Sequence, residues 1–349
     1  MPKMIKTSAK RRRESEGQCP SAGFGAAPQS SSIKAENMNP QLEPILSEIE
    51  KAVVGKRSVI EKILMALLAE GHILLDDVPG VGKTTLAVAL SRALGLNFSR
   101  IQFTPDVLPS DIVGFSVYDR QSGEFVYRPG AVTNANLLLG DEINRTSSKT
   151  QSALLEAMEE RQITVDGHTY PLPKPFVVIA TQNNVGTAGT QLLPYAQMDR
   201  FLVRLSVGYP DHDAQMALLR ARQDDNPIDR VHQVASREDV LAMQASVRAV
   251  SVSDAILDYI TRLTTASREH PMLSVGVSPR GALCLCRMAK AQAYLLGRDY
   301  VVGEDVQDAW QDVCAHRVVL TPKARLAGRT GADILSDLLS SVESPDKRI

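Results

Sequence analysis

The chain has 349 residues, of which 44% are hydrophobic and 23% are charged, and its formal net charge is −1. This composition is typical of a globular protein of about two domains, and the near-neutral charge gives no general attraction for nucleic acid or an anionic membrane. No apolar run approaches the roughly 20 residues of a membrane-spanning helix. Four cysteines without metal-ligand spacing predict free thiols in a cytoplasmic protein.

The chain begins with a polar segment. Residues 1–40 are rich in Ser, Gly, Pro and basic residues and have no periodicity, so we predict a disordered tail. Its basic cluster, Lys10–Arg13, is interpreted as part of a solvated tail, with a nucleic-acid or targeting patch as the alternative. Apolar residues at helical spacing from Leu42 onward predict that ordered structure begins there.

Residues 41–208 alternate between predicted strands and helices, a pattern typical of a parallel sheet covered by helices on both faces. The predicted buried strands are Ile73–Leu75, Ser99–Phe103, Asn136–Leu139, Val177–Ala180 and Leu202–Ser206. Two predicted hairpins interrupt the alternation, at Phe115–Pro129 and at Arg161–Leu172. The second contains Asp166-Gly167, a strong turn signal.

The last third of the chain has a different pattern. Residues 209–236 form a predicted connector that opens with Tyr209-Pro210-Asp211. Residues 237–340 have only helical spacing, which predicts a smaller α-helical domain. The expected fold class is therefore α/β, with a parallel sheet followed by a helical C-terminal domain.

A glycine-bearing turn between the first predicted strand and an alanine-rich helix indicates a phosphate-binding loop. Gly80 and Gly82 allow the backbone N–H groups to surround an anion at the positive end of the helix. Lys83 would reach the β- and γ-phosphates, and Thr84 would bind Mg²⁺ through its hydroxyl. The first glycine of the pattern G-x-x-x-x-G-K-[ST] is replaced by Asp77, a residue type that tolerates turns.

Polar residues also end two later strands. Asp141 and Glu142 follow the strand at 136–139, where Asp141 would complete the Mg²⁺ shell and Glu142 would act as general base. Asn183 ends the strand at 177–180 and would orient the attacking water or contact the γ-phosphate, with Thr181 as the less favoured substitute. The alternative is that Asn183 caps a turn. Because the ends of parallel strands converge on a ligand, these residues are expected to lie near the phosphate loop.

Two arginines allow two interpretations each. Arg200 precedes the last predicted strand and would either stabilise transition-state charge or form a surface ion pair. Arg280 follows Ser278-Pro279, a helix start, and would either face a cleft between the two domains or be solvated. The residues alone do not choose between these interpretations.

These motifs, in this order, resemble those of AAA+ ATPases, and specifically the MoxR family, over roughly residues 41–320. The most specific stretches are Asp76–Thr85, Gly140–Gln162, Ala180–Asn183, Gln197–Phe201 and Ser278–Arg280. An aspartate at Asp77 is common in that family, whereas Gly140 replaces a usual alanine.

The resemblance implies roles for individual residues. Those assigned to catalysis are Glu142, Lys83, Asn183, Arg200 and Arg280. Those assigned to the nucleotide are Val54, Gly55, Pro79, Gly80, Val81, Gly82, Lys83, Thr84, Thr85, Asp141 and Arg280. Thr84 and Asp141 are also the implied Mg²⁺ ligands. Asn183 is similar to the sensor 1 asparagine, Arg200 to the arginine finger given to the next subunit, and Arg280 to the sensor 2 arginine.

The resemblance further implies an ATP- and Mg²⁺-dependent ring ATPase, expected to be a hexamer, that remodels or activates a client protein. A protein with a von Willebrand factor A domain is the expected partner. Three alternatives remain: a nucleotide-dependent binding switch without turnover, a helicase-like nucleic-acid motor, and the ATPase subunit of magnesium chelatase. The hairpin at 161–172 has Arg161 as its one Lys or Arg, which argues against a phosphate backbone as ligand.

Overall fold

The structure is a computed structural model that describes residues 38–183, 193–221 and 226–345. Within these residues the strands are β1 Ile73–Asp76, β2 Phe98–Gln102, β3 Phe115–Asp119, β4 Glu124–Arg128, β5 Leu137–Asp141, β6 Gln162–Val165, β7 His168–Pro171, β8 Val177–Gln182, β9 Val203–Leu205, β10 Leu273–Val275 and β11 Val319–Leu320. Five of them form a central parallel sheet in the order β2-β5-β8-β1-β9. The others form antiparallel pairs, β3-β4, β6-β7 and β10-β11.

Helices cover the sheet and make up most of the C-terminal part. In the described residues they are α1 Glu43–Glu50, α2 Arg57–Leu68, α3 Lys83–Ala93, α4 Pro109–Val113, α5 Ser148–Glu160, α6 Tyr195–Met198, α7 His212–Ala221, α8 Arg237–Ala249, α9 Asp254–Glu269, α10 Pro279–Leu295, α11 Gly303–Cys314, α12 Pro322–Leu326 and α13 Gly331–Ser341. The α/β fold class with a mostly helical C-terminal part is thus confirmed.

The five predicted buried strands and both predicted hairpins are confirmed, each strand to within two residues at either end. The prediction of helices alone after residue 237 is wrong at one place, because β10 and β11 pair with each other. These strands are too short for an alternating pattern and lie far apart in the chain. The predicted connector contains α7, and residues 1–37 of the predicted tail lie outside the described residues.

The sheet separates two hydrophobic clusters because alternate residues of each strand point to opposite faces. Ile73 and Leu75 belong to the larger cluster, whereas Leu74 between them belongs to the smaller one. The larger cluster continues without a break into α8, α9, α10 and α11, where it includes the fully buried Trp310. The helical part is therefore packed onto the α/β part through a shared core.

Asp77 connects the phosphate loop to the end of the sheet. Its carboxylate accepts hydrogen bonds from Ser206 Oγ at 2.9 Å, from Gly208 N at 3.1 Å and from Val207 N. These contacts hold the segment after β9 beside the segment after β1. Aspartate replaces the usual first glycine of the phosphate loop because the donors that follow β9 need a side-chain acceptor at position 77.

We expect Asp77→Gly, although it restores the usual loop pattern, to lower the free energy of unfolding by about 2–4 kcal/mol, because the buried Val207 N–H loses its acceptor. Urea unfolding at neutral pH would measure the change. The control is Asp166→Gly at an exposed turn, where Asp166 has a φ of 51° that glycine adopts easily. Equal stability of wild type and Asp77→Gly would contradict the structural role.

His72 is a buried imidazole directly before β1. Val178 N donates to its Nδ1 at 3.0 Å, and its Nε2 lies 3.0 Å from Met158 O, so Nδ1 is the acceptor and Nε2 the donor. A ring with this pattern is neutral. Burial lowers the pKa of His72 from 6.5 to about 4.

We expect the stability contributed by neutral His72 to be complete above pH 6.5 and to be lost as the pH falls toward about 4, because only the unfolded chain takes up the proton in this range. The full loss is on the order of 3 kcal/mol. Urea unfolding between pH 7 and pH 5 would measure the slope, which should become shallower in His72→Asn. The exposed His168, changed to Asn, is the control and should keep the wild-type slope, and an unchanged slope in His72→Asn would rule out this assignment.

Candidate active site

The carboxyl ends of the parallel strands meet at one edge of the sheet, which we call the carboxyl edge. The phosphate loop follows β1, the acid pair Asp141 and Glu142 ends β5, and Asn183 follows β8. Since β1, β8 and β5 are neighbours in the sheet, the structure brings these predicted residues together.

The phosphate loop has the backbone that anion binding requires. Gly80 and Gly82 have φ values of 84° and 91°, and a Cβ built at either would meet no atom of the described residues within 4 Å. Glycine is therefore required by the backbone conformation rather than by lack of space. The helix α3 begins at Lys83, directly after the loop, so its N-terminus faces the position expected for phosphate.

Lys83 is buried at the base of this loop. Its Nζ donates to Asp77 O at 3.0 Å and to Asn183 Oδ1 at 3.2 Å. Burial lowers the pKa of the Lys83 ammonium, and the nearby carboxylates of Asp77 and Asp141 act in the opposite direction. A phosphate close to Nζ would favour the charged form and replace the lost hydration.

Asp141 and Glu142 are both held by hydrogen bonds through Thr181. Glu142 has a φ of 57°, and its N–H donates to Thr181 Oγ1 at 2.9 Å, while that hydroxyl lies 3.3 Å from Asp141 Oδ1. The other oxygen of Asp141 pairs with Arg100 at 2.8 Å. In the same strand, a Cβ at Gly140 would lie 3.0 Å from Phe103 Cε2, so glycine allows this aromatic ring to pack against β5.

Among the described residues, three side chains donate hydrogen bonds to the Glu142 carboxylate. Asn183 Nδ2 donates at 2.6 Å, Gln102 Nε2 at 3.0 Å and Arg145 at 2.8 Å. The bond from Asn183 links the predicted general base to the residue expected to orient water. In this arrangement these hydrogen bonds restrain the Glu142 carboxylate.

The sequence reasoning missed Arg100, Gln102 and Arg145 and ranked Thr181 below Asn183. The sequence does contain one signal, because Arg100 and Gln102 are alternate polar residues at the end of a strand. In the structure, Gln102 is in register with Asp141 of β5. Alternate residues share one face of a strand, so both side chains can lean toward the acid pair. Only the strand order reveals this, because the sequence does not say that β2 lies beside β5.

The oxygen ligands at the carboxyl edge fit Mg²⁺. Thr84 lies in the first turn of α3, and Asp141 presents its carboxylate at the end of β5. A hydroxyl and a carboxylate, completed by phosphate and water oxygens, are what Mg²⁺ prefers. Within the described part of the chain, no group of three His, Cys, Asp or Glu side chains is placed to hold a metal ion.

The segment expected to meet the adenine is a tight turn. Gly55 has a φ of 71°, and a Cβ at this position would lie 2.6 Å from the Cβ of Ala214 in α7. The turn at Val54-Gly55 therefore packs closely against α7, which only glycine permits. Contact of this turn with adenine stays a prediction.

Arg200 and Arg280 lie at the opposite edge of the sheet, which we call the amino edge. Arg200 precedes β9, and β9 is parallel to β1, so Arg200 is at the edge where β1 begins. Arg200 Nε lies 3.2 Å from Glu159 Oε2, and Arg280 Nη2 pairs with Glu159 Oε1. The structure thus brings these two arginines together but brings neither to Lys83 of the same chain.

A buried network fixes the backbone around this arginine pair. Asp199 accepts from Arg317 Nε at 2.9 Å and from Ser278 Oγ at 3.1 Å. Arg317 is fully buried and also donates to Leu202 O at 3.1 Å. Because Asp199 precedes Arg200 and Ser278 caps the helix of Arg280, the network ties the two segments together.

Among the residues that the structure describes, none of the helices is both long and apolar enough to cross a membrane.

Comparison with known proteins identifies two matching family profiles and several relatives. Residues 72–203 match the profile of the ATPase family associated with various cellular activities (AAA), and residues 265–338 match an AAA lid domain. The chain is 46% identical to the uncharacterized protein YeaC of Bacillus subtilis over 313 residues, which is 90% of this chain and 98% of YeaC.

Two further similarities cover most of the chain. Chaperone MoxR1 of Mycobacterium tuberculosis is 39% identical over 313 residues, 87% of this chain and 82% of MoxR1. The crystal structure of a candidate ATPase from Cytophaga hutchinsonii superposes with a TM-score of 0.81 at 37% identity and covers 88% of this chain and 95% of its own. With its phosphate loop, acid pair and lid, the chain belongs to the MoxR family of AAA+ ATPases.

Proposed function

We propose that this protein hydrolyses ATP to ADP and phosphate at sites shared between neighbouring subunits of a ring. One observation carries the proposal: the phosphate loop and acid pair lie at the carboxyl edge, whereas Arg200 and Arg280 lie together at the amino edge. A single subunit cannot bring both edges to one nucleotide. The amino edge of one subunit would therefore complete the carboxyl edge of the next.

The residues of the carboxyl edge would divide the work on ATP. Lys83 would bind the β- and γ-phosphates, Glu142 would accept a proton from the attacking water, and Asn183 would orient that water. Thr84 and Asp141 would hold Mg²⁺, which when bound neutralises charge on the phosphates. Thr181 would keep Asp141 and Glu142 in register through the hydrogen bonds described above.

The two arginines would both act on the neighbour's ATP. Arg280 would then act on the nucleotide of the neighbouring chain rather than on that of its own chain, because it shares Glu159 with Arg200. Two guanidinium groups would stabilise the charge that develops on the transferred phosphoryl group.

An interface between two different edges is heterologous, so repeating it produces either a closed ring or an open filament. A closed ring of six is the form that the family resemblance favours. We further propose that hydrolysis in this ring remodels or activates a client protein, together with a partner that carries a von Willebrand factor A domain. The relative named chaperone MoxR1 supports a role of this type.

Steady-state hydrolysis measured over a range of protein concentrations tests the shared site. We expect specific activity to rise with concentration, Glu142→Gln to bind ATP with at least about 100-fold slower turnover, and Arg200→Ala to lose about 10³-fold or more. Mixing Arg200→Ala with Glu142→Gln should restore part of the activity, because Glu142→Gln subunits still donate Arg200. Activity that is independent of concentration and of Arg200 would contradict the proposal. ATP binding without turnover under all conditions would favour the binding switch.

A second mixture asks in which direction Arg280 acts. If Arg200 and Arg280 both serve the neighbour, no site in a mixture of Arg200→Ala and Arg280→Ala receives both arginines, so we expect the mixture to remain inactive. Each variant mixed with Glu142→Gln should recover. The control is Arg262→Ala, at an exposed arginine of α9, which should keep wild-type activity. Recovery in the mixture of the two arginine variants would mean that Arg280 acts on the nucleotide of its own chain.

A further inference from the structure

A single carboxylate bridges the two arginines of the amino edge. Arg200 Nε lies 3.2 Å from one oxygen of Glu159, and Arg280 Nη2 pairs with the other oxygen. Each guanidinium thus has its own oxygen. The planar carboxylate therefore sets the distance between two cations that would otherwise repel each other.

The position of Glu159 in its helix supports a tertiary role. Glu159 and Glu160 occupy the last turn of α5, which the structure describes in full and which has no basic residue in that turn. A carboxylate is unfavourable at a helix C-terminus because this end of the helix dipole is negative. Local helix preference does not explain Glu159, whereas its two ion pairs do.

Glu159 is the counterion of Arg200 and Arg280, because the other carboxylate that lines the same cavity pairs with different arginines. A cavity of about 180 Å³ at the amino edge is lined by Arg161, Arg200, Arg280 and Arg287, together with two carboxylates, Glu70 and Glu159. Glu70 pairs with Arg161 at 2.8 Å and with Arg248. Glu159 is therefore the carboxylate of the cavity wall that neutralises Arg200 and Arg280.

The bridge still leaves donors for a phosphate. Arg200 uses Nε toward Glu159, and within residues 38–183, 193–221 and 226–345 its two terminal nitrogens have no hydrogen bond. The side chains of Arg200 and Arg280 are 34% and 42% exposed. Both guanidinium groups are therefore accessible to an anion presented by another subunit while they remain paired with Glu159.

We propose that Glu159 is a positioning residue that holds Arg200 and Arg280 as one preorganised pair for the ATP of the neighbouring subunit. This inference rests on the proposed shared site. The Asp199 network fixes the two backbones, and Glu159 fixes the two side chains. Preorganised charge is more effective than mobile charge because it needs no reorganisation when the reaction occurs.

Glu159→Gln tests this inference. We expect the maximal turnover to fall about tenfold, since small misplacements of catalytic groups cost one to two orders of magnitude, while the dissociation constant for ADP changes less than about twofold. Glu159→Asp keeps the charge on a shorter side chain and should recover part of the turnover. Glu156→Gln is the matched control, because Glu156 lies one turn earlier on α5, lines a neighbouring pocket with Glu159, Arg200 and Arg280, and makes no ion pair within the described residues.

Mixing of subunits distinguishes a loss of arginine positioning from a general defect of the Glu159→Gln protein. Glu159→Gln mixed with Glu142→Gln should regain turnover, because Glu142→Gln subunits donate an intact arginine pair to the active sites of Glu159→Gln subunits. Unchanged turnover in Glu159→Gln would overturn the inference. Increased turnover of Glu159→Gln at low protein concentration would also overturn it, because Glu159 would then inhibit the enzyme. A loss of turnover that mixing with Glu142→Gln does not restore would overturn it as well.

The rescue of Arg200→Ala by Glu142→Gln, measured in the same experiment, distinguishes a failure of the proposed role of Glu159 from a failure of the proposed shared site. If that rescue occurs and Glu159→Gln behaves like wild type, the shared site stands and only the role of Glu159 fails. If that rescue fails, the shared site fails, and the role of Glu159 fails with it.

Discussion

The structure depends on one constraint, the parallel direction of the five central strands. Each strand begins at the amino edge and ends at the carboxyl edge, so a residue's position relative to its strand decides the edge at which it lies. Residues that follow β1, β5 and β8 gather at the carboxyl edge. Arg200 precedes β9 and lies at the amino edge. The separation of the phosphate loop and acid pair from Arg200 within one chain is therefore a consequence of topology.

Charge compensation follows the same principle at both edges. At the carboxyl edge Arg100 neutralises Asp141, and Arg145 neutralises Glu142. At the amino edge Glu159 neutralises Arg200 and Arg280. Partly buried charges need partners, and each of these groups has its partner within the same chain.

The helical C-terminal part shares a hydrophobic core with the α/β part, because one cluster of buried residues extends from a face of the sheet into the C-terminal helices. Arg317 is buried within this shared region and binds Asp199, whose neighbour Arg200 faces the surface. The position of the arginine pair therefore depends on packing between α10, α11 and the start of β9. A change in this packing would alter the amino edge without any contact to the nucleotide of the same chain.

By itself, the sequence determined the strands, both hairpins and the convergence of Lys83, Asp141, Glu142 and Asn183, because each signal is local and parallel strand ends meet at one edge. It could not determine the pairing of β10 with β11, the acceptor role of Asp77 or the bridge from Glu159 to Arg200 and Arg280. Those features join residues far apart in the chain. Periodicity and motif spacing report neighbours along a strand or helix, whereas contacts between elements follow from strand order and helix packing, which only the tertiary structure decides.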